Sequence, residues 1–404
     1  MIGEITVEKP KLTPKMLWDI EHYKDVGLYF YLEATQEILP NGRVVVENHG
    51  EMIMLGSYSY LGLIGHPEIN AAAKAAVDHY GTGTHGVRLL AGSLQLHNEL
   101  ESRIAAFKQT EEAITFSSGY VTNLATISSL LRKGDTLICD KLNHASIVDG
   151  CLLATANFVR FRHNDMDHLE RRLREAGGNG RKLVVADSVF SMDGDIINLP
   201  EVVRLCRQYG AYLMIDEAHS IGVLGETGHG IEEHFNLPPD CIDIKMGTLS
   251  KAIPSAGGYV AGNHELIRFL KHEARAFIFS AALPPASAAA AIAAFDVIEA
   301  EPWRVQKLQE NYDHFAGRLR EAGFDLLLTE TAIVPVVCGS TDRAATLAKY
   351  CQDRGIFVQA VVSPVVPEGL ERLRACVSSA HCIEDIDYCA DTIIEGGRLL
   401  GIIK

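Results

Sequence analysis

The sequence lacks several features that mark special classes of protein. Its nine cysteines include no C-x-x-C pair, which argues against zinc and dithiol motifs and is typical of reduced thiols in a cytoplasmic protein. The most apolar stretch, residues 286–294, is Ala-rich and far shorter than the ~20 residues of a membrane-spanning helix. The start, Met1 to Glu4, has no basic region followed by an apolar run, so it predicts no signal peptide.

Positive charge is also scarce. The chain has 37 Lys and Arg against 52 Asp and Glu, which gives a formal net charge of −15. An acidic surface repels phosphate backbones, so we expect no nucleic-acid partner. We also expect no metal, because the cysteines show none of the usual ligand spacings.

What remains is the composition of an ordinary globular enzyme of 404 residues, with 47% hydrophobic and 22% charged residues. This length exceeds what one hydrophobic core usually supports, so we expect more than one domain. We predict an N-terminal arm over residues 1–55, a large domain over 56–296, and a smaller α+β domain over 297–404.

Short apolar runs alternate with helical patterns through the middle of the chain. The predicted strands cover residues 113–116, 136–139, 183–186, 213–216, 244–246 and 258–261. Such alternation predicts an α/β fold with a mostly parallel sheet and helices on both faces. In such sheets ligands bind beyond the carboxyl ends of the strands.

The two ends of the chain have different patterns. We predict a helix near Lys15 to Lys24, a hairpin turn at Asn41-Gly42, and a helix that begins at Pro67 and stops at Gly81. Towards the C-terminus, strand-like runs cover residues 332–338, 356–362 and 373–377, and a helix covers 384–400.

Residues suited to pyridoxal-phosphate (PLP) chemistry follow two of the central strands. Asp216 ends one strand and His219 lies three residues on, while Lys251 follows a predicted Gly-Thr-x-Ser turn after another. A lysine can form a Schiff base with the pyridoxal aldehyde, and an acidic residue can hold the cationic ring nitrogen. The tetrapeptide Asp-Glu-Ala-His at 216–219 also occurs in helicases, but these need an upstream G-x-x-x-x-G-K-[ST] loop that the sequence lacks.

Other polar residues could complete such a site. His144 offers a flat ring that could stack on the cofactor. Strand-to-helix turns leave backbone N–H groups free for a phosphate, and nearby hydroxyls can add donors. The candidates for phosphate binding are Ser118, Gly119, Tyr120, Thr248 and Ser250. Each of these residues also has an ordinary structural explanation as a turn or capping residue.

These residues occur in an order that resembles the α-oxoamine synthases, which are fold-type I PLP-dependent transferases. The resemblance runs from about Met52 to Gly401. Its motifs are SSGY at 117–120, NHAS at 143–146, DSVFSMDG at 187–194, DEAHS at 216–220, GTLSK at 247–251, FSAALPP at 279–285 and LR at 373–374. Each motif is modest alone, and their order and spacing together are specific.

The resemblance implies a homodimer whose active sites are shared between subunits. It also implies that an amino acid condenses with an acyl thioester, of coenzyme A or an acyl carrier protein, giving carbon dioxide and an α-aminoketone. Lys251 would take the α-proton of the amino acid, and His219 would donate to the phenolate oxygen of the cofactor.

The resemblance assigns further roles to other residues. Ser188 would lie near the phenolate oxygen, and Ser280 would reach the phosphate of the neighbouring subunit. Arg374, rather than Arg372, would grip the substrate carboxylate. Ser59 lies in a segment that contacts substrate in relatives, and Val87 aligns with the pocket for the amino-acid side chain.

Two departures from the family pattern keep other reactions open. The segment Ser57 to Tyr60 lacks the Asn that relatives often carry, and Pro254 replaces a Gly three residues after the lysine. The second departure resembles relatives in specialised pathways. The alternatives are a PLP-dependent aldolase, decarboxylase or aminotransferase, or a non-catalytic partner subunit. The amino acid, the acyl chain length and the thioester carrier stay open.

Overall fold

The computed structural model describes residue 24, residues 26–177 and residues 180–404. The helix predicted near Lys15 to Lys24 lies outside these residues except for Lys24. The strands are β1 (Thr35–Leu39), β2 (Arg43–Val46), β3 (Gly50–Met54), β4 (Glu112–Phe116), β5 (Thr136–Asp140), β6 (Asn157–Phe161), β7 (Lys182–Asp187), β8 (Tyr212–Asp216), β9 (Ile244–Ser250), β10 (Pro254–Gly262), β11 (Ile333–Val337), β12 (Ile356–Phe357), β13 (Ala360–Val361) and β14 (Arg372–Cys376).

The helices surround three sheets. They are α1 (Pro67–Tyr80), α2 (Gln95–Phe107), α3 (Gly119–Leu130), α4 (Ala145–Leu153), α5 (Met166–Glu175), α6 (Leu199–Tyr209), α7 (Ile231–His234), α8 (His264–Glu273), α9 (Arg275–Ile278), α10 (Pro285–Ala300), α11 (Trp303–Glu321), α12 (Thr341–Gln352) and α13 (Ile383–Leu399), with a short 3-10 turn at Pro239–Cys241. As predicted, Pro67 occupies the first turn of α1, and Gly81 ends that helix with φ 81°.

The largest sheet has the strand order β4-β10-β9-β8-β7-β5-β6. Strands β5 to β9 run parallel to one another, and β10 is antiparallel to both β4 and β9. The prediction of a mostly parallel sheet is confirmed, and each of the six predicted strands is present. The edge strand β6 was not predicted, because the exposed residues Asn157 and Arg160 leave it without a continuous apolar run.

The predicted Gly-Thr-x-Ser turn before Lys251 is wrong. Strand β9 continues through Ser250, and β10 begins at Pro254, which pairs with Ser250 across the hairpin. Only Lys251, Ala252 and Ile253 connect the two strands. Gly247 and Thr248, predicted as turn residues, instead pair with Tyr259 and Gly258 of β10. Pro254 is tolerated as the first residue of its strand. Lys251 therefore sits on a short connection between two buried strands.

The terminal regions form two smaller sheets. Strands β11, β14 and β13 form an antiparallel sheet, and β12 joins β1, β2 and β3. The predicted strand over 356–362 is therefore split, because Phe357 pairs with Met54 while Ala360 pairs with Leu373 of another sheet. The hairpin at Asn41-Gly42 is confirmed, with φ 60° and 68°. The boundaries at 55 and 297 stay predictions.

A cluster of four buried charges lies beside the end of β8. Lys108 Nζ is 2.8 Å from Glu217 and 3.2 Å from Glu232, and Lys245 Nζ is 2.7 Å from Glu232. The relative exposure of these residues is 6% or less. The two positive and two negative charges balance, so each partner compensates for the desolvation of the others.

The Lys245→Met variant is expected to lose about 3–5 kcal/mol of unfolding free energy, because two buried carboxylates would then share one cation. Urea titration measures the loss. Lys271→Met is the matched control, since Lys271 pairs with Glu112 nearer the surface and should cost less than about 1 kcal/mol. Equal small losses in both variants would contradict this account.

His163 forms a clamp between two carboxylates. Its Nδ1 lies 3.0 Å from Asp140 and its Nε2 lies 2.9 Å from Asp195. Burial lowers the pKa of His163, but hydrogen bonds and charge attraction from both carboxylates outweigh it and raise the pKa to about 10.

The ion pairs of His163 with Asp140 and Asp195 should make the free energy of unfolding fall as the pH rises. Because the pKa of His163 is higher in the folded than in the unfolded chain, its stabilisation is complete below about pH 6.5 and disappears as the pH rises towards 10. Between about pH 6.5 and about pH 9.5, we expect wild type to lose about 2 kcal/mol more unfolding free energy than His163→Gln. Urea titrations at both pH values test this, and parallel losses would refute it.

The described part of the chain contains no helix long and apolar enough to span a membrane. The nine cysteines are free thiols, of which only Cys382 is partly exposed.

Candidate active site

The predicted lysine, acid and histidine come together at the carboxyl ends of β8 and β9. Lys251 Nζ lies 2.7 Å from His219 Nε2. Burial lowers the pKa of Lys251 to about 8, although the charges of Asp216 and Asp187 oppose the shift. A large fraction of the amine is therefore neutral near pH 8, as a nucleophile or general base requires.

Asp216 is held in place by two donors. Its Oδ2 accepts a 2.6 Å hydrogen bond from Asn123 Nδ2, and its Oδ1 accepts a 2.9 Å bond from the backbone N–H of Ala218. The side chain is buried, and donors to both of its oxygens fix the orientation of the carboxylate. A carboxylate held in this way can bind the N–H of a protonated ring nitrogen.

His219 is fully enclosed between two partners. Opposite its contact with Lys251, its Nδ1 lies 2.7 Å from the hydroxyl of Tyr60. Burial, followed by the charges of Lys251 and Arg374, lowers the pKa of His219 well below its usual value. The ring is therefore neutral. In this arrangement its Nε2 contacts the lysine, so the predicted bond to a phenolate oxygen stays a prediction.

His144 precedes helix α4 and remains exposed to solvent. Its Nδ1 lies 2.7 Å from Ser146 Oγ, and its backbone N–H donates to Asp187 Oδ2 at 2.7 Å. These contacts hold the backbone and one ring nitrogen, and they leave the ring faces available. This geometry is compatible with stacking on a cofactor, which stays a prediction.

The start of helix α3 packs against β9. Ser118 caps the helix by accepting from the N–H of Val121, and a Cβ added to Gly119 would lie 2.9 Å from Thr248 Oγ1. The Thr248 hydroxyl lies 2.9 Å from Ser250 Oγ. Free N–H groups of a helix start beside two hydroxyls suit a phosphate. Tyr120 follows in the first turn, and its hydroxyl donates to Asp149.

The two arginines of β14 have different surroundings. Arg372 pairs with Asp193 at 2.5 Å and donates to the carbonyl of Met192, so its charge is neutralised. Arg374 donates from Nε to the carbonyl of Ser191 at 2.6 Å and from Nη1 to the sulfur of Cys376 at 3.0 Å. Its buried Nη2 has no hydrogen-bond partner among the described residues. An uncompensated guanidinium with a spare donor favours Arg374 as the carboxylate-binding residue.

The ring of Tyr58 lies over the site. Its centroid is 4.8 Å from the Arg374 guanidinium carbon, 5.6 Å from Lys251 Nζ and 5.9 Å from the His219 ring. The side chain is 42% exposed. Neighbouring Ser59 is instead held through its backbone carbonyl, which accepts from Ser378 at 2.8 Å. Its predicted contact with substrate stays a prediction.

The structure also shows the surroundings of three other residues that were predicted for the site, Ser188, Val87 and Ser280. The hydroxyl of Ser188 is fully buried and donates to the carbonyl of Asp216 at 2.8 Å, so its hydrogen is already engaged. Val87 forms an isolated bridge with Ala281, next to Ser280. The roles predicted for these residues stay predictions.

The sequence analysis missed two residues that this geometry makes prominent. Asn123 lies inside helix α3 and contacts Asp216, and Tyr60 contacts His219. A buried Asn one turn after a phosphate-binding helix start was the available signal for the first. Tyr60 gave no local signal, because its contact spans a long sequence separation.

The residues fit PLP. A buried amine, a buried and hydrogen-bonded carboxylate, a helix start with hydroxyl donors and an arginine with a spare donor correspond to the aldehyde, the ring nitrogen, the phosphate and the substrate carboxylate. Gly119 is suited to this position, since any larger residue would crowd Thr248. Among the described residues no group of three or more His, Cys, Asp or Glu could hold a metal ion.

Comparisons with known proteins agree with this site. The family model described as aminotransferase class I and II matches residues 50–393. An 8-amino-7-oxononanoate synthase from Geobacter sulfurreducens is 44% identical over 97% of this chain and 100% of its own length. Another from Thermoanaerobacter pseudethanolicus is 43% identical over 95% of this chain and 97% of its own length.

A solved structure is similar as well. Serine palmitoyltransferase from S. paucimobilis, with a bound PLP–myriocin aldimine, has a TM-score of 0.91 and 34% identity, covering 95% of this chain and 97% of that one. Fold and site together define a fold-type I PLP-dependent transferase. The chain belongs to the aminotransferase class I and II family and, within it, to the α-oxoamine synthases. It is an acyltransferase that condenses a small amino acid with an acyl thioester and releases carbon dioxide.

Proposed function

We propose that this enzyme condenses alanine with a seven-carbon dicarboxylic acyl thioester to give 8-amino-7-oxononanoate. The product name of the relatives defines the substrates chemically. A ketone at carbon 7 comes from the acyl group, and the amine-bearing carbon 8 with its methyl group comes from alanine after loss of its carboxyl group. The observation that carries the proposal is full-length similarity of 43–44% to such enzymes, with the Lys251 site in place.

Different residues of the site would bind the amino acid, remove its α-proton and hold the cofactor. Bound PLP supplies an electron sink for the α-carbon of the amino acid. Arg374 Nη2 would bind the substrate carboxylate and orient the α-carbon. The neutral amine of Lys251, with its pKa of about 8, would remove the α-proton. Asp216 would hold the proton of the ring nitrogen, and His219 would orient the Lys251 amine through its 2.7 Å contact.

A different amino acid or a longer acyl chain is the second candidate. Two features favour it: Tyr58 covers Arg374, and Pro254 begins β10 in place of the family's Gly. The neighbour named serine palmitoyltransferase, at a TM-score of 0.91, supports this candidate, because its name gives serine and a palmitoyl chain as its own substrates. The thioester carrier, coenzyme A or an acyl carrier protein, is part of the same question.

A substrate panel separates these candidates. Purified enzyme loaded with PLP is incubated with alanine, glycine or serine against acyl-coenzyme A and acyl carrier protein thioesters of graded length, with and without a terminal carboxylate. Thiol release gives rates, and mass spectrometry identifies products. The proposal expects the highest kcat/KM with alanine and the seven-carbon dicarboxylic chain. A preference of about tenfold or more for another pair rejects it in favour of the second candidate.

We infer that the enzyme acts as a homodimer in the cytoplasm. The backbone N–H of Ala282 donates to the carbonyl of Gly86 at 2.9 Å, which joins the segment around Gly86 to the segment that contains Ser280. The first segment continues to Leu90, which is 87% exposed, and the second includes Phe279, which is 70% exposed. Large exposed apolar side chains at one place support a second copy as partner. Nine free cysteines support a reducing compartment.

Sedimentation equilibrium tests the dimer. Wild type should have twice the chain mass, and Phe279→Asp should shift the equilibrium towards monomer because it buries an unpaired charge in the contact. Leu328→Asp, at a residue that is 80% exposed in the C-terminal region, is the control and should remain dimeric. A monomeric wild type would reject the proposal.

A further inference from the structure

A chain of buried hydrogen bonds connects two residues of the site that are far apart in sequence. Asn123 Nδ2 donates to Asp216 Oδ2 at 2.6 Å and to Ser146 Oγ at 2.9 Å. Ser146 Oγ in turn lies 2.7 Å from His144 Nδ1. Asn123 is 1% exposed and Ser146 is fully buried, so water does not compete for these bonds.

The direction of each bond follows from the available hydrogens. An amide NH₂ has two hydrogens and no acceptor, so Asn123 donates to both neighbours. Ser146 Oγ accepts one of them, and its single hydrogen is left for His144. The backbone N–H of Ser146 can only donate, and it points at His144 Nδ1 at 3.3 Å, so Nδ1 is an acceptor that takes the hydroxyl hydrogen as well. The remaining ring proton must lie on Nε2.

We infer that Asn123 and Ser146 are positioning residues, which orient the Asp216 carboxylate for the ring nitrogen of PLP and hold His144 as the neutral Nε2–H tautomer. The inference adds to the family-level assignment of PLP and does not depend on the acyl or amino substrate. Asn123 acts on both ends of the chain of bonds. The Ser146 hydroxyl contacts Asn123 and His144, and it has no contact with Asp216 among the bonds of this chain.

Electrostatic repulsion explains why a neutral His144 ring is favoured in this site. The protonated pyridine ring of bound PLP would already place positive charge in the site, and a cationic His144 stacked on that ring would add repulsion. Burial and the Lys251 charge lower the pKa of His144, with Asp216 opposing, which agrees with a neutral ring. The hydrogen bonds also decide which ring nitrogen carries the proton, because the hydroxyl and the backbone N–H of Ser146 both donate to Nδ1.

Helix α3 links this chain of bonds to the phosphate end. Gly119 at the helix start packs on Thr248, and Asn123 lies four residues later on the same face. One helical turn, about 5.4 Å, therefore sets the spacing between the predicted phosphate-binding turn and the donor to Asp216. A single rigid element would place both contacts of the cofactor.

The experiment uses full-length protein with ¹⁵N-labelled histidine, in apo and PLP-loaded forms. Chemical shifts of the His144 ring nitrogens, assigned with His144→Gln, report which nitrogen carries the proton. Absorbance titration gives the Kd for PLP. The variants are Asn123→Leu, which removes both donors, and Ser146→Ala, which removes the hydroxyl between Asn123 and His144 and leaves the bond from Asn123 to Asp216 in place.

We expect wild-type His144 to be protonated on Nε2 alone. Ser146→Ala should give mixed tautomers and raise the Kd for PLP at most about fivefold. Asn123→Leu should raise that Kd at least about tenfold, because Asp216 loses a charge-assisted bond. A Kd within about twofold of wild type in Asn123→Leu, or an unchanged His144 pattern in Ser146→Ala, would overturn the inference.

A matched control separates positioning from general loosening. Asn311 is also fully buried and donates twice from Nδ2, to the carbonyls of Ser378 and His381, outside this chain of bonds. Asn311→Leu should lower Tm without changing the His144 shifts or the Kd for PLP. An equal change of Kd in Asn311→Leu and Asn123→Leu would also overturn the inference. If Asn123→Leu does not fold, Asn123→Ser replaces it, because a serine side chain is too short to reach Asp216. The expected change of the Kd for PLP is the same.

Discussion

Lys251→Ala is expected to lower kcat by about four orders of magnitude, because one amine both attaches the cofactor and moves the α-proton. The visible absorbance of the PLP-loaded wild type should shift to that of unattached PLP. Steady-state thiol release and absorbance spectra measure both effects. The fold should survive, since removing an amine whose pKa is already depressed by burial relieves a desolvation cost.

Two additional measurements make this prediction specific. Added methylamine should restore part of the activity of Lys251→Ala, since a small amine can enter the space left by the side chain. The matched control is Lys141→Ala, an exposed lysine that follows β5, which should keep wild-type rates. If Lys251→Ala retained more than about a tenth of wild-type kcat, the assigned role of this lysine would be wrong.

Arg374→Lys is expected to lower kcat/KM for the amino acid about 100-fold, mainly through KM, while KM for the acyl thioester stays near the wild-type value. The charge remains, but the planar fork that binds a carboxylate through two N–H groups is lost. Initial rates with each substrate varied in turn provide the test. A loss shared equally between both substrates would indicate a general distortion of the site.

Arg372→Lys provides the control on the same strand. Arg372 pairs with Asp193 and has no spare donor role in the site, so its variant should lower Tm and leave KM for the amino acid nearly unchanged. The comparison matters because alternation places both side chains on one face of β14. The opposite outcome, with KM raised in Arg372→Lys only, would exchange the two roles.

Much of the site could be predicted because it consists of strand ends. Asp216 and Lys251 are far apart in the chain, but β8 and β9 are parallel neighbours whose carboxyl ends meet at one edge. An apolar run followed by a polar residue is a local signal, and it needs no knowledge of distant contacts. The same signal located Ser118 and His144.

The errors have a common physical origin. The predicted turn before Lys251 is strand because β10 pairs with it, and the predicted strand 356–362 is two strands because its halves find partners in different sheets. Pairing partners are chosen by the whole fold, so a local pattern of apolar and polar residues cannot reveal them.

The sequence by itself determined the α/β class, the positions along the chain of the strands that carry the site, and the identity of its lysine, acid and histidine. Only the tertiary structure decided that Asn123 serves Asp216, that Tyr58 lies over Arg374, and that Arg374 rather than Arg372 keeps a spare donor. The reason is that periodicity and turn chemistry act over a few residues. Hydrogen bonds between distant segments depend on how the sheets and helices pack.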